Sequence, residues 1–390
     1  MKLTDNAMCA ILLCTYLGLK NENNIKPLSL GEWNLFLDKI IEKGLEPKVI
    51  FDRESDWGQL LSYSEAQVKR IKELSTRGGS VALEMDDLNR KGIEIVTLFD
   101  ADYPPLLKRR LKKKTPPVLF YAGDITLAKK IGIAVVGSRD VDESGIEFTR
   151  RLAAKAAKEK LVVYSGGAKG VDTISEAVAI GNGGAAVAYV ADSLLARIKK
   201  QDTISSIINK QLLLITDMKP DTGFSAARAM NRNKFIYASA YGAFVVSSSY
   251  NKGGTWAGAV EALHNDWGKV LVWNHSEYAG NSKLIEKGAV SYELSEEKLY
   301  DIITKKETYE QIDLFKAVPV LRETMEYNRN TVDLYYHFKN FIADHLSYGL
   351  SADKAAEQFC VIQEQMNIWL KRLCEEGLAE CKEGIYRKTN

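Results

Sequence analysis

Two glycine-rich turns each follow a short apolar run and carry groups able to bind an anion. Gly137-Ser138-Arg139 follows the run from Ile133 to Val136, and the turn at residues 165–170 follows Leu161 to Tyr164. Glycine permits sharp turns and close approach of a ligand to the backbone. Amides at the start of a following helix attract anions. The two turns predict phosphate contacts by Gly137, Ser138, Arg139, Ser165, Gly166, Lys169 and Gly170.

Two later segments add polar groups at further strand ends. One is Met230 to Lys234, which offers Arg232 and Lys234, although such a segment is as easily a solvated helix face. The other is Asn251 to Glu261, another strand-to-helix turn. It offers Lys252, Gly253, Gly254 and Thr255 as candidate phosphate-binding residues. Four such strand ends are more than packing requires, so we expect them to converge on a phosphate-rich ligand and to bind it largely without reading sequence.

The chain between these turns must place them on one edge. From Ile131 to Asn274, apolar runs alternate with helical stretches, a pattern typical of a parallel sheet covered on both faces. The runs are Ile133 to Val136, Leu161 to Tyr164, Ala185 to Val190, Leu212 to Thr216, Ala243 to Ser247 and Val270 to Trp273. The predicted fold is therefore α/β, with a doubly wound, mostly parallel, Rossmann-like sheet whose ligands bind at the carboxyl ends of the strands.

Two smaller parts are expected to flank this sheet. Residues 1–92 predict a helical N-terminal domain, with capping boxes at Ser29-Leu-Gly-Glu32 and Ser64-Glu-Ala-Gln67. The sheet domain is assigned to 93–303, a polar linker to 304–330, and a winged-helix-like C-terminal domain to 331–390, where three helical patterns precede a hairpin. The acidic side chains of the third pattern favour contact with protein over contact with DNA in that last domain.

Composition excludes several classes of protein. The net charge is +2, so any nucleic-acid site is a local patch. Five Cys without a CxxC pair and four scattered His predict neither disulfides nor a metal site, and they favour a cytoplasmic location. The apolar segment from Ala7 to Leu19 is too short to span a bilayer and is expected to form a buried helix, so no membrane association is expected. With neither a catalytic triad nor a Walker A pattern, no cofactor and no enzymatic activity are expected.

In their order, these motifs resemble the DprA/Smf family of DNA-processing proteins. Asp102 to Leu107 and Pro116 to Gly123 are similar to the family's entry into its Rossmann-like domain. Arg232-Asn233-Lys234 resembles its Arg-Asn-Arg motif, with Lys234 in place of the second arginine, and Gly280 to Ala289 resembles its closing segment. The resemblance implies a homodimer that binds and protects single-stranded DNA and helps to load a RecA-type recombinase, as in natural transformation.

Two other functions remain open at this stage. A phosphoribohydrolase-like enzyme of the same superfamily would need a catalytic acid, and Glu261 follows Gly254 at a short distance, although a solvated helix position explains this acid better. A sensor of a small nucleotide would need the same phosphate cleft as a strand binder. The basic run from Lys108 to Lys114 either extends a nucleic-acid path or forms a solvated face.

Overall fold

The computed structural model describes residues 3–19, 25–52, 55–304, 334–346, 349–359, 363–382 and 384–389. The chain divides into two compact units, Met1–Glu307 and Thr308–Asn390. The linker predicted at 304–330 lies outside the described residues, except for Thr304. The predicted boundaries at residues 92 and 303 stay predictions.

Among the residues described, the first unit begins with five α-helices and a short 3-10 helix, Pro47–Phe51. The α-helices are α1 (Asp5–Cys14), α2 (Leu30–Glu42), α3 (Trp57–Leu60), α4 (Glu65–Ser75) and α5 (Gly78–Arg90). Both predicted capping boxes are present, at the start of α2 and of α4. Helix α1 is buried along most of its length, as expected for the apolar segment near the amino terminus. These helices share a hydrophobic core with one face of the sheet that follows, which includes Phe120, Ala188 and Leu214.

A nine-stranded sheet forms the centre of this unit. Its strands are β1 (Glu94–Thr97), β2 (Val118–Gly123), β3 (Gly132–Val136), β4 (Val162–Ser165), β5 (Ala186–Tyr189), β6 (Leu212–Thr216), β7 (Gly242–Val245), β8 (Lys269–Trp273) and β9 (Val290–Tyr292). They lie in the order β1-β2-β6-β5-β4-β3-β7-β8-β9. Strands β3 to β9 pair in parallel, whereas β1 and β2 extend the sheet antiparallel.

Helices between the strands cover the sheet. They are α6 (Pro105–Leu111), α7 (Glu143–Lys158), α8 (Val171–Gly181), α9 (Leu194–Arg197), α10 (Gln201–Ile208), α11 (Ala226–Ser239), α12 (Gly253–His264), α13 (Ala279–Glu286) and α14 (Leu299–Thr304). Neighbouring residues of β3 belong to different cores: Ala134 packs with α11 and α12, and Ile133 packs with α7. The central strands β3 to β7 are therefore buried on both faces, which explains their continuous apolar runs.

The second unit is small and has its own core, built around Tyr335, Met366 and Leu370. Its described elements are α15 (Leu334–His345), β10 (Leu350–Ser351), α16 (Ala352–Gln358), α17 (Gln363–Glu375), β11 (Ala379–Lys382) and β12 (Ile385–Lys388). The strands form an antiparallel sheet in the order β10-β12-β11. The predicted fold class is confirmed in both units. The sequence did not predict the two-residue strand β10.

Candidate nucleic-acid interface

The strand order reverses beside β3. From β3 the chain proceeds to β4, β5 and β6 on one side, and then returns to place β7, β8 and β9 on the other. At such a switch point the two neighbouring connections leave in opposite directions and open a crevice at the carboxyl ends of the strands. A cleft of about 380 Å³ lies there, between the ends of β3 and β7 and the helices α11 and α12.

Eight of the predicted site residues line this cleft. They are Gly137, Ser138, Arg139, Arg232, Lys252, Gly253, Gly254 and Thr255. Two hydrogen bonds join the segments that carry them. The Ser138 amide donates to Ser247 Oγ at 3.0 Å, and Thr255 Oγ1 donates to the Gly137 carbonyl at 3.0 Å. The turn after β3 is thus held in place by the two segments that follow β7.

Arg232 is the buried cation of the cleft. Only 6% of this residue is exposed, and its Nε and Nη1 atoms are buried with no hydrogen-bond partner among the described residues. Burial lowers the pKa of Arg232, and the nearby Asp172 carboxylate opposes that shift. A buried donor without a partner is costly, and more so when it is charged. An anion entering the cleft would compensate the charge of this guanidinium.

The turn after β4 contributes Ala168 to the cleft lining, but none of its predicted phosphate-binding residues lines the cleft. Ser165 is fully buried, and its hydroxyl donates to the Glu176 carboxylate on α8. A β-carbon at Gly166 would overlap Nη1 of Arg232, so this glycine provides the space that the guanidinium occupies. Ser165 and Gly166 therefore lie behind Arg232, and any effect they have on a ligand in the cleft passes through that side chain.

The rest of this turn packs against the turn after β3. Gly170 has a φ of +86°, and a β-carbon there would lie 2.5 Å from the Ser138 carbonyl oxygen, so the close contact of the two turns requires glycine. Lys169 is on the surface, with its Nζ 3.6 Å from Asp140 Oδ1. Asp172 lies in the first turn of α8 and does not cap that helix. Its carboxylate instead accepts the Gly166 amide at 3.1 Å and the Ala168 amide at 3.3 Å.

Glu176, behind the turn, titrates in an unusual range. Burial raises its pKa to about 7 from the ordinary value of 4.5, and the hydrogen bond from Ser165 only partly opposes this shift. Arg197 closes the same side of the turn by donating to the Gly167 carbonyl at 2.8 Å and to Asp192 at 2.6 Å. Sequence reasoning missed Glu176 because an isolated acid on a helix carries no motif.

We expect Glu176→Gln to raise stability at alkaline pH and to leave it unchanged near pH 4.5. Between pH 4.5 and about 7 the folded protein keeps a proton that the unfolded chain has lost. The free energy of unfolding of the wild type therefore falls as pH rises through this window, by at most about 3 kcal/mol. The glutamine side chain of the variant does not titrate, so the stability of the variant lacks this dependence on pH. Calorimetric melting at pH 4.5, 6 and 8 tests this prediction, and equal changes in Tm for both proteins would contradict it.

The structure does not bring Lys234 to the cleft. Two helical positions separate it from Arg232, which places the two side chains on nearly opposite faces of α11. Lys234 Nζ is 2.7 Å from Asn231 Oδ1 and lines a separate cavity, of about 330 Å³, beneath the N-terminal helices. Glu261, the candidate catalytic acid, is also outside the cleft lining and pairs with Lys114 at 3.0 Å.

The basic run from Lys108 to Lys114 is largely engaged within the fold. Lys108 donates to the Leu98 carbonyl at 2.8 Å, and Arg110 donates to the Ala240 carbonyl. Lys113 pairs with Asp38 at 2.7 Å. These contacts attach α6 and the turn after it to the rest of the unit. The run is neither a free stripe of cations nor part of the cleft lining.

Sequence reasoning missed the polar end of β7. Ser247, Ser248 and Ser249 all line the cleft. Behind them lies Asn281, which is fully buried on α13. Its amide donates to the carbonyls of Val246 at 2.9 Å and Trp273 at 2.8 Å, and its carbonyl accepts the Ser248 hydroxyl at 2.8 Å. Asn281 thus fixes the ends of β7 and β8. Its place beside Gly280 in the motif-like closing segment was the available signal.

Within the described parts of the chain, no group of three or more His, Cys, Asp or Glu side chains is arranged to hold a metal ion. Among the same residues, no helix has both the length and the apolar character needed to cross a membrane.

Residues 94–303, more than half of the chain, match the family model of DNA recombination-mediator protein A. The chain belongs to this family. Its relatives among DNA recombination-mediator proteins include DNA processing protein DprA of Bacillus subtilis, 28% identical over 206 residues, which are 51% of this chain and 68% of that protein. DprA of Streptococcus pneumoniae is 28% identical over 139 residues, 35% of this chain and 49% of that protein.

The fold of this family member is also found in a solved structure. The X-ray structure of DNA processing protein A from Streptococcus pneumoniae aligns with a TM-score of 0.53 at 22% identity, and the alignment covers 75% of this chain and 95% of that one. The sequence match to the same protein spans about half of its length. The matched family region, 94–303, contains every element that forms the cleft.

Proposed function

We propose that this chain binds single-stranded DNA in the cleft at the switch point and holds it by its phosphates. The single observation that carries the proposal is Arg232, a buried guanidinium in the cleft lining with two nitrogens that lack a hydrogen-bond partner in the part of the chain that the structure describes. Arg139 and Lys252, both exposed, add charge at the mouth. Asp172 is the acidic member of the lining, and its carboxylate already accepts two amides.

We further propose that the protein acts as a recombination mediator in the cytoplasm. As a homodimer it would protect single strands and help a RecA-type recombinase to load on them, as in natural transformation. Membership of the DNA recombination-mediator protein A family supports this role. We propose no covalent step, and the position of Glu261 outside the cleft supports a binding function over base release by a phosphoribohydrolase-like enzyme.

The decisive experiment is a titration with single-stranded oligonucleotides of increasing length at two salt concentrations. Binding through several phosphates should tighten with length and weaken steeply with salt, because each neutralised phosphate releases a counterion. A mononucleotide sensor would instead saturate with a single nucleotide. If affinity is independent of length, the strand-binding proposal fails in favour of the sensor.

Arg139→Ala is expected to lower affinity about tenfold for every DNA sequence alike. Arg139 is exposed at the mouth, where its guanidinium lies 5.4 Å from the centre of the Phe224 ring and can pair with a phosphate. Loss of one charge-assisted contact accounts for a change of that size. Fluorescence anisotropy with homopolymeric and mixed strands measures it, with Arg109→Ala, outside the cleft lining, as the matched control. A loss confined to one sequence would contradict backbone recognition.

A further inference from the structure

We infer that the second cavity, the one beneath the N-terminal helices, binds a free guanine nucleotide. This cavity of about 330 Å³ is lined by the segment around Leu28, by the end of β6 at Asp217 and by one face of α11. On α11 it is lined by Asn231, Lys234 and Phe235, whereas other residues of that helix line the cleft. Nucleotide binding in the second cavity is therefore independent of strand binding in the cleft.

Two opposite charges line the second cavity without pairing with each other. Asp217 follows β6, Lys234 lies on α11, and the two charges attract each other. Among the described residues, neither has an oppositely charged atom within 4.0 Å, and the Asp217 carboxylate accepts a hydrogen bond only from its own backbone amide. Burial raises the pKa of Asp217 and lowers the pKa of Lys234. A ligand that donates to Asp217 and accepts from Lys234 would compensate both groups.

The other two lysines of the lining already have acidic partners. Lys219 Nζ is 2.8 Å from the Glu84 carboxylate, and Lys114 Nζ is 3.0 Å from the Glu261 carboxylate. Lys114 is exposed, and an exposed ion pair contributes little to stability. Its ammonium is therefore free to turn to a phosphate at the opening of the cavity, while the polar edge of the ligand lies between Asp217 and Lys234.

The walls between these polar groups are apolar. They include Leu28, Leu30, Pro117, Phe120 and Met218. Walls of this kind fit a flat aromatic ring, and nucleobases bind proteins by stacking on such side chains while their edges form hydrogen bonds. The volume of the cavity lies at the lower end of the range for ligand pockets, which suits a single nucleotide.

Guanine is the base whose edge matches the two charges. Its O6 acceptor lies beside the N1–H and N2–H donors, so Lys234 can donate to O6 while the Asp217 carboxylate accepts both N–H groups. Adenine has an amino donor in place of O6 and no hydrogen on N1, so it would place a donor against Lys234 and a lone pair against Asp217. Cytosine offers the carboxylate only its amino group.

Calorimetric titration of the full chain with nucleoside 5′-monophosphates tests this inference. We expect guanosine monophosphate to bind at least about tenfold more tightly than adenosine or cytidine monophosphate, since one hydrogen bond to a charged group contributes that much. Inosine monophosphate keeps O6 and N1–H but lacks the amino group, so its affinity should be intermediate. Equal affinity for the guanine and adenine nucleotides, or no binding of either, would overturn the inference.

Asp217→Asn should change the preferred base and not merely abolish binding. Xanthine carries a carbonyl where guanine carries the N2 amino group, so the amide of the variant can donate to that carbonyl and accept from N1–H. Xanthosine monophosphate should therefore bind the variant at least about tenfold more tightly than guanosine monophosphate does. A misfolded variant cannot gain such a preference. An unchanged preference for guanine would show that Asp217 does not read the base, and the inference fails.

Two further variants separate the second cavity from the cleft. Lys234→Met should lower the affinity for guanosine monophosphate by about tenfold, whereas Arg139→Ala, at the mouth of the cleft, should leave it unchanged. If Arg139→Ala lowers it as much as Lys234→Met does, the nucleotide binds in the cleft and the inference is wrong. If single-stranded DNA fails to bind while the guanine preference holds, the proposed function alone is wrong. If DNA binds and the guanine preference is absent, only this inference fails.

Discussion

Arg232→Gln is expected to weaken binding of single-stranded DNA by about 100-fold and to lower the stability of the free protein, because the buried Asp172 carboxylate loses a cation that favours its charged form. A bidentate contact between arginine and phosphate contributes about 3 kcal/mol, which corresponds to that factor. Nε and Nη1 of Arg232 are buried and have no hydrogen-bond partner within the described ranges, but the guanidinium is coupled by charge to Asp172. Removing one member of a buried set of opposite charges leaves the other uncompensated, which is destabilising.

Two measurements check this result together. Anisotropy titration gives the affinity, and thermal melting with and without saturating DNA gives the stability. A ligand that binds the folded state raises Tm according to its concentration relative to Kd, so the DNA-dependent rise should largely disappear in the variant. Lys234→Gln, on the same helix but outside the cleft, is the matched control and should keep both properties. Wild-type affinity in Arg232→Gln would contradict the site.

Gly166→Ala is expected to reduce DNA affinity nearly as much as Arg232→Gln does, although residue 166 itself touches no ligand. The added methyl group would occupy the position of Nη1 and displace the guanidinium. The displaced guanidinium is the end of a flexible side chain, so the fold should be preserved while the position of this cation in the cleft changes. Gly223→Ala, at a position with no atom near the added carbon, is the matched control and should bind normally.

A double-mutant cycle decides whether the effect of Gly166→Ala passes through Arg232. In the Arg232→Gln background, Gly166→Ala should lower the affinity further by less than about twofold, because residues that act as one unit are not additive. Two independent contacts with DNA would instead give multiplied losses. That result would support the direct contact between Gly166 and a phosphate that the sequence predicted.

The fold was largely predictable because burial on both faces produces long apolar runs. The run from Ile133 to Val136, for example, coincides with most of β3. The apolar runs Ile93 to Leu98 and Val118 to Tyr121 also predicted the strands β1 and β2. Their antiparallel pairing at one edge was not predicted, nor was β10, whose two residues carry no periodic signal. Local sequence does not encode which edge of a sheet a short strand will join.

The candidate site was predictable in its location and less so in its parts. Strand ends with glycine, as at Gly137 and Gly254, marked the edge of the sheet, and the topology brought them together. The roles of Arg232 and Lys234 depend on which face of α11 packs inward, and that is a tertiary property. Ser165 and Gly166 show the same limit: a glycine turn can hold a ligand or a neighbouring side chain, and only the packed structure distinguishes these cases.

The hydrogen bond between Thr255 and Gly137 spans 118 residues of sequence. Arg232, which shares their cleft, comes from a third segment between them. Contacts of such long range form late, after both halves of the sheet have assembled. A nascent chain emerging from the ribosome would therefore be unable to bind DNA in the cleft until α12 had been synthesised. The ability to bind would then form in one step, when the sheet is complete.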